Sequence, residues 1–403
     1  MRNILLPNPN VLSQTVIRLG LVSFFADISS EMLYPITPIF LTGVLGASML
    51  SVGIIEGVAE GIASLLKIYS GAWSDRTQKR KPWIVGGYLL AALSKPLIGM
   101  SSSWGHVLAA RGIDRTGKGL RTAPRDALLA ESVPSAYRAE AFGWHRLMDT
   151  LGAAIGPLFA ISFLSLHPSE LRPLYYWAAI PGFVAVGIAC LVQESKTVLK
   201  LPRQAALRFS WRETSPAFRS YLGAWTIFAL GNSSDAFLLL KAKHSGISLV
   251  STILMYCLYN LIYAVFSPYL GKLSDRFGKR EMLILGLIAF ALIYTGFATS
   301  SAPWMYWALF GAYGLFMAAT DGAGKALIID LVPKHLKATG IGIFGTFTGI
   351  ATIFASVSAG VLWDHVGPSA PFLFGAGGAI ISAILLSPIH NPTRTTPNQG
   401  RSG

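Results

Sequence analysis

Charge is scarce in this sequence. Asp, Glu, Lys and Arg supply 13% of its 403 residues, about half the share of a soluble domain, which excludes a soluble globular fold. Cysteine is scarcer: Cys190 and Cys257 both lie in apolar runs, so no disulfide framework is available. From these residues, an ATP-binding cassette, a tail long enough for a soluble domain and a separable signal peptide ahead of the first apolar run are likewise not expected. That run is expected to be a retained helix.

Apolar sequence is abundant. Hydrophobic residues make up 52% and the mean hydropathy is +0.52. Twelve apolar runs lie at roughly 16–42, 49–73, 82–102, 104–130, 140–166, 172–193, 220–242, 247–271, 282–301, 303–329, 338–363 and 369–389. Each can cross a hydrocarbon core of about 30 Å. The expected fold is an all-α, multi-pass membrane protein.

Basic residues outnumber acids 33 to 19, for a net charge of +14. An even number of spans puts both termini on one side. The loops of that side carry 17 Lys and Arg, clustered in 74–82, 194–219 and 272–281, against Arg172, Lys241 and Lys243 opposite. The positive-inside rule places both termini in the cytoplasm, consistent with a bacterial inner membrane. The surplus is a topology signal, and no nucleic-acid partner is expected.

The chain repeats itself. "GAWSDRTQKRK" from Gly71 returns as "GKLSDRFGKRE" from Gly271, and "ALLAESVP" from Ala127 as "ALIIDLVP" from Ala326. The expected organisation is a six-helix half over 1–193, a linker over 194–219 and a second half over 220–403. An even number of spans per half makes these parallel repeats.

These residues carry a family resemblance. The pattern G-x-x-x-D-R-x-G-K/R-R resembles the signature loop of the major facilitator superfamily. It occurs as Gly71, Asp75, Arg76 and Arg80, with Gln78 in place of the usual glycine, and as Gly271, Asp275, Arg276, Gly278 and Arg280. "LAARGIDRTG" is similar to the arginine motif of the family's fourth helix, with Asp114 and Arg115 replacing the usual Gln-Gly. "DTLGAAIGP", containing Gly156 and Pro157, resembles the fifth-helix motif of proton-driven exporters. The resemblance implies twelve helices in two parallel repeats, helices 1, 4, 7 and 10 around a central cavity, and alternating access. It also implies a gating role for the loop residues, with Asp126 and Arg125 near Arg76.

The stretch "RGIDRTGKGLRTAPRD", 111–126, holds seven charges: Arg111, Asp114, Arg115, Lys118, Arg121, Arg125 and Asp126. At 100° per residue they share an arc of roughly 140°. Facing lipid, they would cost on the order of 20 kcal/mol, so the arc faces protein, water or substrate. Gly112, Gly117 and Lys118 approach a phosphate loop, but Gly119 replaces the magnesium-binding hydroxyl and no strand precedes it. No nucleotide or other cofactor is expected. An Asp114–Lys118 pair at i,i+4 and an Asp126–Arg76 pair would leave three cations in excess. Arg111, Arg115, Lys118 and Arg121 are therefore candidates to bind an anionic or zwitterionic solute.

Counter-charges come from "FFADISSEMLYP" in the first helix. Asp27 and Glu31 lie one turn apart near Tyr34 and are the candidates for proton coupling. Glu56, Glu60 and Lys67 share a face of the second helix and are expected to form a structural bridge. "GNSSDAFLLL" puts Asn232 and Asp235 in the seventh helix as further solute-binding candidates, whereas Asp321 and Lys325 can neutralise each other. His145, Arg146 and Asp149 lack an accompanying nucleophile or metal set, so catalysis is not expected. The leading reading is a monomeric secondary transporter of a small anionic or zwitterionic solute, coupled to protons and favouring export. A polytopic membrane enzyme and a non-transporting receptor are the alternatives.

Overall fold

A computed structural model describes residues 13–77, 79–134, 138–167, 170–194, 214–332 and 337–388. Gln78, one of the signature positions, lies outside them. The described residues form fourteen α-helices. They cover the twelve expected spans, because the first and seventh spans are each broken into two helices.

The first span comprises α1 (Gln14–Glu31) and α2 (Thr37–Gly43). Pro35 follows Tyr34 in the intervening turn, and proline can neither donate an N–H nor tolerate a helical predecessor easily. The exposed backbone is repaired locally: Leu33 O accepts from Ile36 N and Thr37 N, and from the Thr37 hydroxyl at 2.9 Å. The seventh span breaks between α8 (Pro216–Gly231) and α9 (Ala236–His244). Here Asn232, Ser233, Ser234 and Asp235 compete with the helix for its own hydrogen bonds. The breaks stand 200 residues apart, the spacing of the signature loops.

The remaining spans are α3 (Met49–Thr77), α4 (Lys81–Gly99), α5 (Trp104–Glu131), α6 (Arg138–Leu166) and α7 (Leu171–Cys190) in the first repeat. The second has α10 (Leu249–Phe277), α11 (Lys279–Thr299), α12 (Pro303–Leu331), α13 (Lys337–His365) and α14 (Ala370–Leu386). Among the described residues, six helices are long and apolar enough to cross a bilayer by themselves. The charged α5 is not among them, as its seven charges require.

Two compact units are distinguished, and they do not follow the sequence halves. One contains the described residues of the first half together with Ser234–Cys257 and Ser356–His365. The other contains the described part of Gln204–Ser233, Leu258–Ala355 and the described residues from Val366. The first unit has an apolar core of α1, α4, α5 and α7 side chains, among them Leu19, Val22, Tyr88, Leu128 and Ala185, beside a charged interior. The second has an aromatic core in which Phe228, Phe290, Tyr294, Phe297, Tyr313, Phe316 and Phe372 interlock.

Glycine sets how closely α6 approaches α1. A Cβ at Gly152 would lie 2.3 Å from Phe24 O, and one at Gly156 2.7 Å from Ile28 O. The "DTLGAAIGP" motif is thus the seam on which α6 rests against the acidic face of α1. On the side away from the termini, the Asp364 carboxylate accepts from Met49 N at 3.1 Å and Leu50 N at 2.8 Å. It caps the N-terminus of α3 and joins the two repeats within the first unit.

Candidate functional site

The signature loops lie at the terminal side. Arg80 is buried and donates to Ser74 Oγ at 2.8 Å and to Glu131 at 2.9 Å, tying the end of α3 to the end of α5. Glu194 accepts from the backbone N–H groups of Arg80 and Lys81 at the start of α4. The second repeat has a related arrangement: Lys279 bonds Asp330 at 2.6 Å, and Arg280 bonds Glu281 at 3.1 Å and Ser387 O at 3.2 Å. Gly278, with φ of +116°, starts α11 in a conformation that side chains resist. Gly71 faces Ala123 of α5, whereas a Cβ at Gly271 would meet nothing within 4 Å. Arg76 and Arg276 are exposed, and the side chains of Asp75 and Asp275 lie outside the description.

Two expected ion pairs are corrected here. Asp126 does not pair with Arg76; it accepts from its neighbour Arg125 at 2.9 Å. Arg125 also donates to Ser23 Oγ at 3.2 Å, and Ser23 meets His145 Nε2 at 2.9 Å. His145 is thus a hydrogen-bonded packing residue. Asp114 does not pair with Lys118 either. It takes Lys95 of α4 at 2.8 Å, with Arg115 at 3.8 Å and Arg111 at 4.0 Å. The reason lies in the α4–α5 seam, where a Cβ on Gly117 would come within 2.3 Å of Gly87 O. Glycines let the helices touch, and Lys95 reaches Asp114 across them.

Arg111 is 8% exposed and bonds Glu56 at 2.5 Å. Glu56 also accepts from Ser234 Oγ at 3.3 Å. The second span therefore contributes to the interior instead of closing a bridge among Glu56, Glu60 and Lys67. The excess of cations read from α5 alone also disappears. Lys67, Lys95, Arg111, Arg115, Lys118, Arg121 and Arg125 stand against Asp27, Glu31, Glu56, Glu60, Asp114, Asp126 and Asp149.

The break in the first span gathers the candidates for chemistry. Glu31 accepts from Tyr256 Oη of α10 at 2.8 Å, and the Tyr34 ring stacks on Tyr256 at 5.2 Å. Arg115 and Lys118 are the electrostatic neighbours of Glu31. Lys118 forms no ion pair among the described residues. One turn toward the termini, Asp27 and Asp149 lie within hydrogen-bonding reach of each other. Arg121 turns elsewhere, its guanidinium lying over the Tyr88 ring at 4.1 Å. Asp235 is half-buried at the start of α9. Asn232 accepts from Tyr294 Oη at 3.3 Å inside the second unit, where Asp321 and Lys325 pair at 2.7 Å.

Sequence reasoning missed three participants. Lys95 was visible as a lone cation in an apolar run, an intramembrane charge that signals function or pairing. Glu56 was visible but assigned to its own helix. Tyr256 had no signal, being one aromatic residue among many.

Twelve spans in two parallel repeats, with equivalent spans broken and charges gathered at a break, define a membrane transporter for small solutes. The sequence pattern of the Major Facilitator Superfamily matches residues 19–242 and again 227–403. The chain belongs to that superfamily. It is 34% identical over 385 residues to an uncharacterised MFS-type transporter of Methanocaldococcus jannaschii, covering 94% of this chain and 96% of that one. It is 31% identical over 158 residues to the class B tetracycline resistance protein of Escherichia coli, covering 38% of this chain and 36% of that one. The crystal structure of the nucleoside transporter NupG superposes with a TM-score of 0.73 at 14% identity, covering 94% of this chain and 99% of that one. Membership in a transporter family sets aside the membrane-enzyme alternative.

Proposed function

We propose that the protein is a proton-coupled exporter of a small zwitterionic or anionic solute, with both termini in the cytoplasm. The observation that carries this reading is the mixed-charge lining at the break of the first span. Glu31, Tyr34 and Tyr256 lie there, with Arg115 and Lys118 as the electrostatic neighbours of Glu31. Arg115 is held only loosely by Asp114, at 3.8 Å, and Lys118 has no ion-pair partner among the described residues. These two cations suit a transient carboxylate or phosphate. Near balance of charge in the surrounding interior favours a solute that also brings a positive group, which Glu31 or Asp235 would receive. Arg111, committed to Glu56, acts as scaffold.

Protonation supplies the coupling. The solute's positive group and a proton compete for Glu31, so an entering proton displaces the solute, as exchange of the two requires. Asp27 and Asp149, side by side, accommodate one proton between them more easily than two negative charges. The signature residues Arg80, Arg276 and Arg280, together with Arg125 of α5 and the α1–α6 seam at Gly156 and Pro157, would govern how the halves move. Export is supported by the fifth-helix motif and by partial similarity to a drug-resistance protein, since resistance is most simply achieved by removal from the cell.

The test starts with a ligand found by thermal-shift screening of zwitterionic and anionic compounds at two pH values. In everted vesicles carrying a pH gradient, that ligand should accumulate in the wild type. Asp27→Asn and Glu31→Gln should abolish gradient-driven accumulation while keeping exchange. Arg115→Gln should weaken binding about 10- to 150-fold, and less for a neutral analogue of the same shape. Full gradient-driven activity in Asp27→Asn, Glu31→Gln and the double variant would refute proton coupling through these groups.

A further inference from the structure

A small cavity lies between α1, α4, α5 and α7, with room for about one water-sized particle. Ser29, Ser30, Tyr88, Ala92, Lys95 and Arg121 are in its wall. Arg121 is 8% exposed, and its Nη1 has no hydrogen-bond partner. Native structures rarely leave a buried donor unsatisfied, least of all on a charged group. Lys95, 4% exposed, spends one of its three protons on Asp114 at 2.8 Å and keeps two. Ser29 gives its proton to Ala178 O at 2.6 Å.

The wall thus offers two cationic donors, and no carboxylate lines it. A water molecule here could give its protons to the hydroxyl oxygens of Ser29, Ser30 and Tyr88, the last of which has no other hydrogen-bond partner among the described residues. It would bring no charge to offset the two buried cations. An anion only accepts, and its charge offsets the low-dielectric burial of the guanidinium. We propose that this cavity is a binding site for a chloride-sized monovalent anion, held by Arg121 Nη1 and Lys95 Nζ. Such an ion links α4 to α5 as a fixed part of the bundle. It is separate from the transported solute, whose proposed contacts are Arg115 and Lys118. The site also accounts for the direction taken by Arg121, the cation of the charged arc that faces the cavity.

The experiment uses the purified full chain, first exchanged into sodium gluconate and then titrated with sodium chloride or bromide at constant ionic strength. The halides should raise the Tm saturably, by about 3 °C or more at a hundredfold excess over Kd. Crystals soaked in sodium bromide should show an anomalous bromine peak beside Arg121 Nη1. Both signals should vanish in Arg121→Gln and persist in Lys325→Gln, whose side chain is 61% exposed. Absence of the wild-type bromine peak, or equal Tm in gluconate and chloride, overturns the proposal and leaves the cavity to water. If Arg121→Gln does not fold, the wild-type bromine peak decides alone.

Discussion

Replacing Glu56 by Gln should unsettle the interior of the first unit strongly, because it removes the close carboxylate partner of Arg111. Arg111 would then be a buried cation with its nearest remaining carboxylate, Asp114, 4.0 Å away and already shared with Lys95 at 2.8 Å. Removing one partner of a buried pair costs about 3–5 kcal/mol. Residual attraction from Asp114 points to the lower end, about 3 kcal/mol. The Ser234 hydroxyl adds little, because a glutamine oxygen can still accept from it. Arg111→Gln should cost a similar amount by orphaning Glu56. The double variant orphans neither charge, so its loss should fall short of the sum of the single losses by at least about 2 kcal/mol. Thermal unfolding in detergent, followed by tryptophan fluorescence, would read each single change as a Tm drop of about 3 °C or more. Inactivation half-lives at one temperature would serve where unfolding is irreversible. Additive single losses, or a Glu56→Gln protein as stable as the wild type, would refute the pairing.

Gly152→Val should destabilise by about 1–3 kcal/mol or more through overpacking, because its Cβ would meet Phe24 O at 2.3 Å. Gly187→Ala in α7, with nothing within 4 Å, should instead be neutral or stabilising by up to about 1 kcal/mol, and equal Tm values for the two variants would count against the seam. Asp364→Ala removes a helix cap worth about 1 kcal/mol. It should raise thiol labelling of a cysteine placed at Ser48 from the side away from the termini, and unchanged labelling and Tm would show that the carboxylate holds nothing closed there.

Much of this protein is determined by sequence alone. Twelve spans follow from the length of apolar runs, because a bilayer of fixed thickness demands them wherever they fall. The parallel repeat is legible as a 200-residue recurrence, whereas the breaks in the first and seventh spans appear only in the structure. The inward direction of the charged face of α5 also follows, since lipid would exclude it. Charge partners do not follow. The i,i+4 rule paired Asp114 with Lys118, but facing glycines at 87 and 117 let α4 deliver Lys95 instead. The same blindness gave Glu56 to its own helix, when Arg111 and Ser234 lay across the bundle. Within one helix, spacing fixes which residues share a face. Which opposing side chain arrives first depends on how closely two backbones approach, and that distance exists only once the helices are packed.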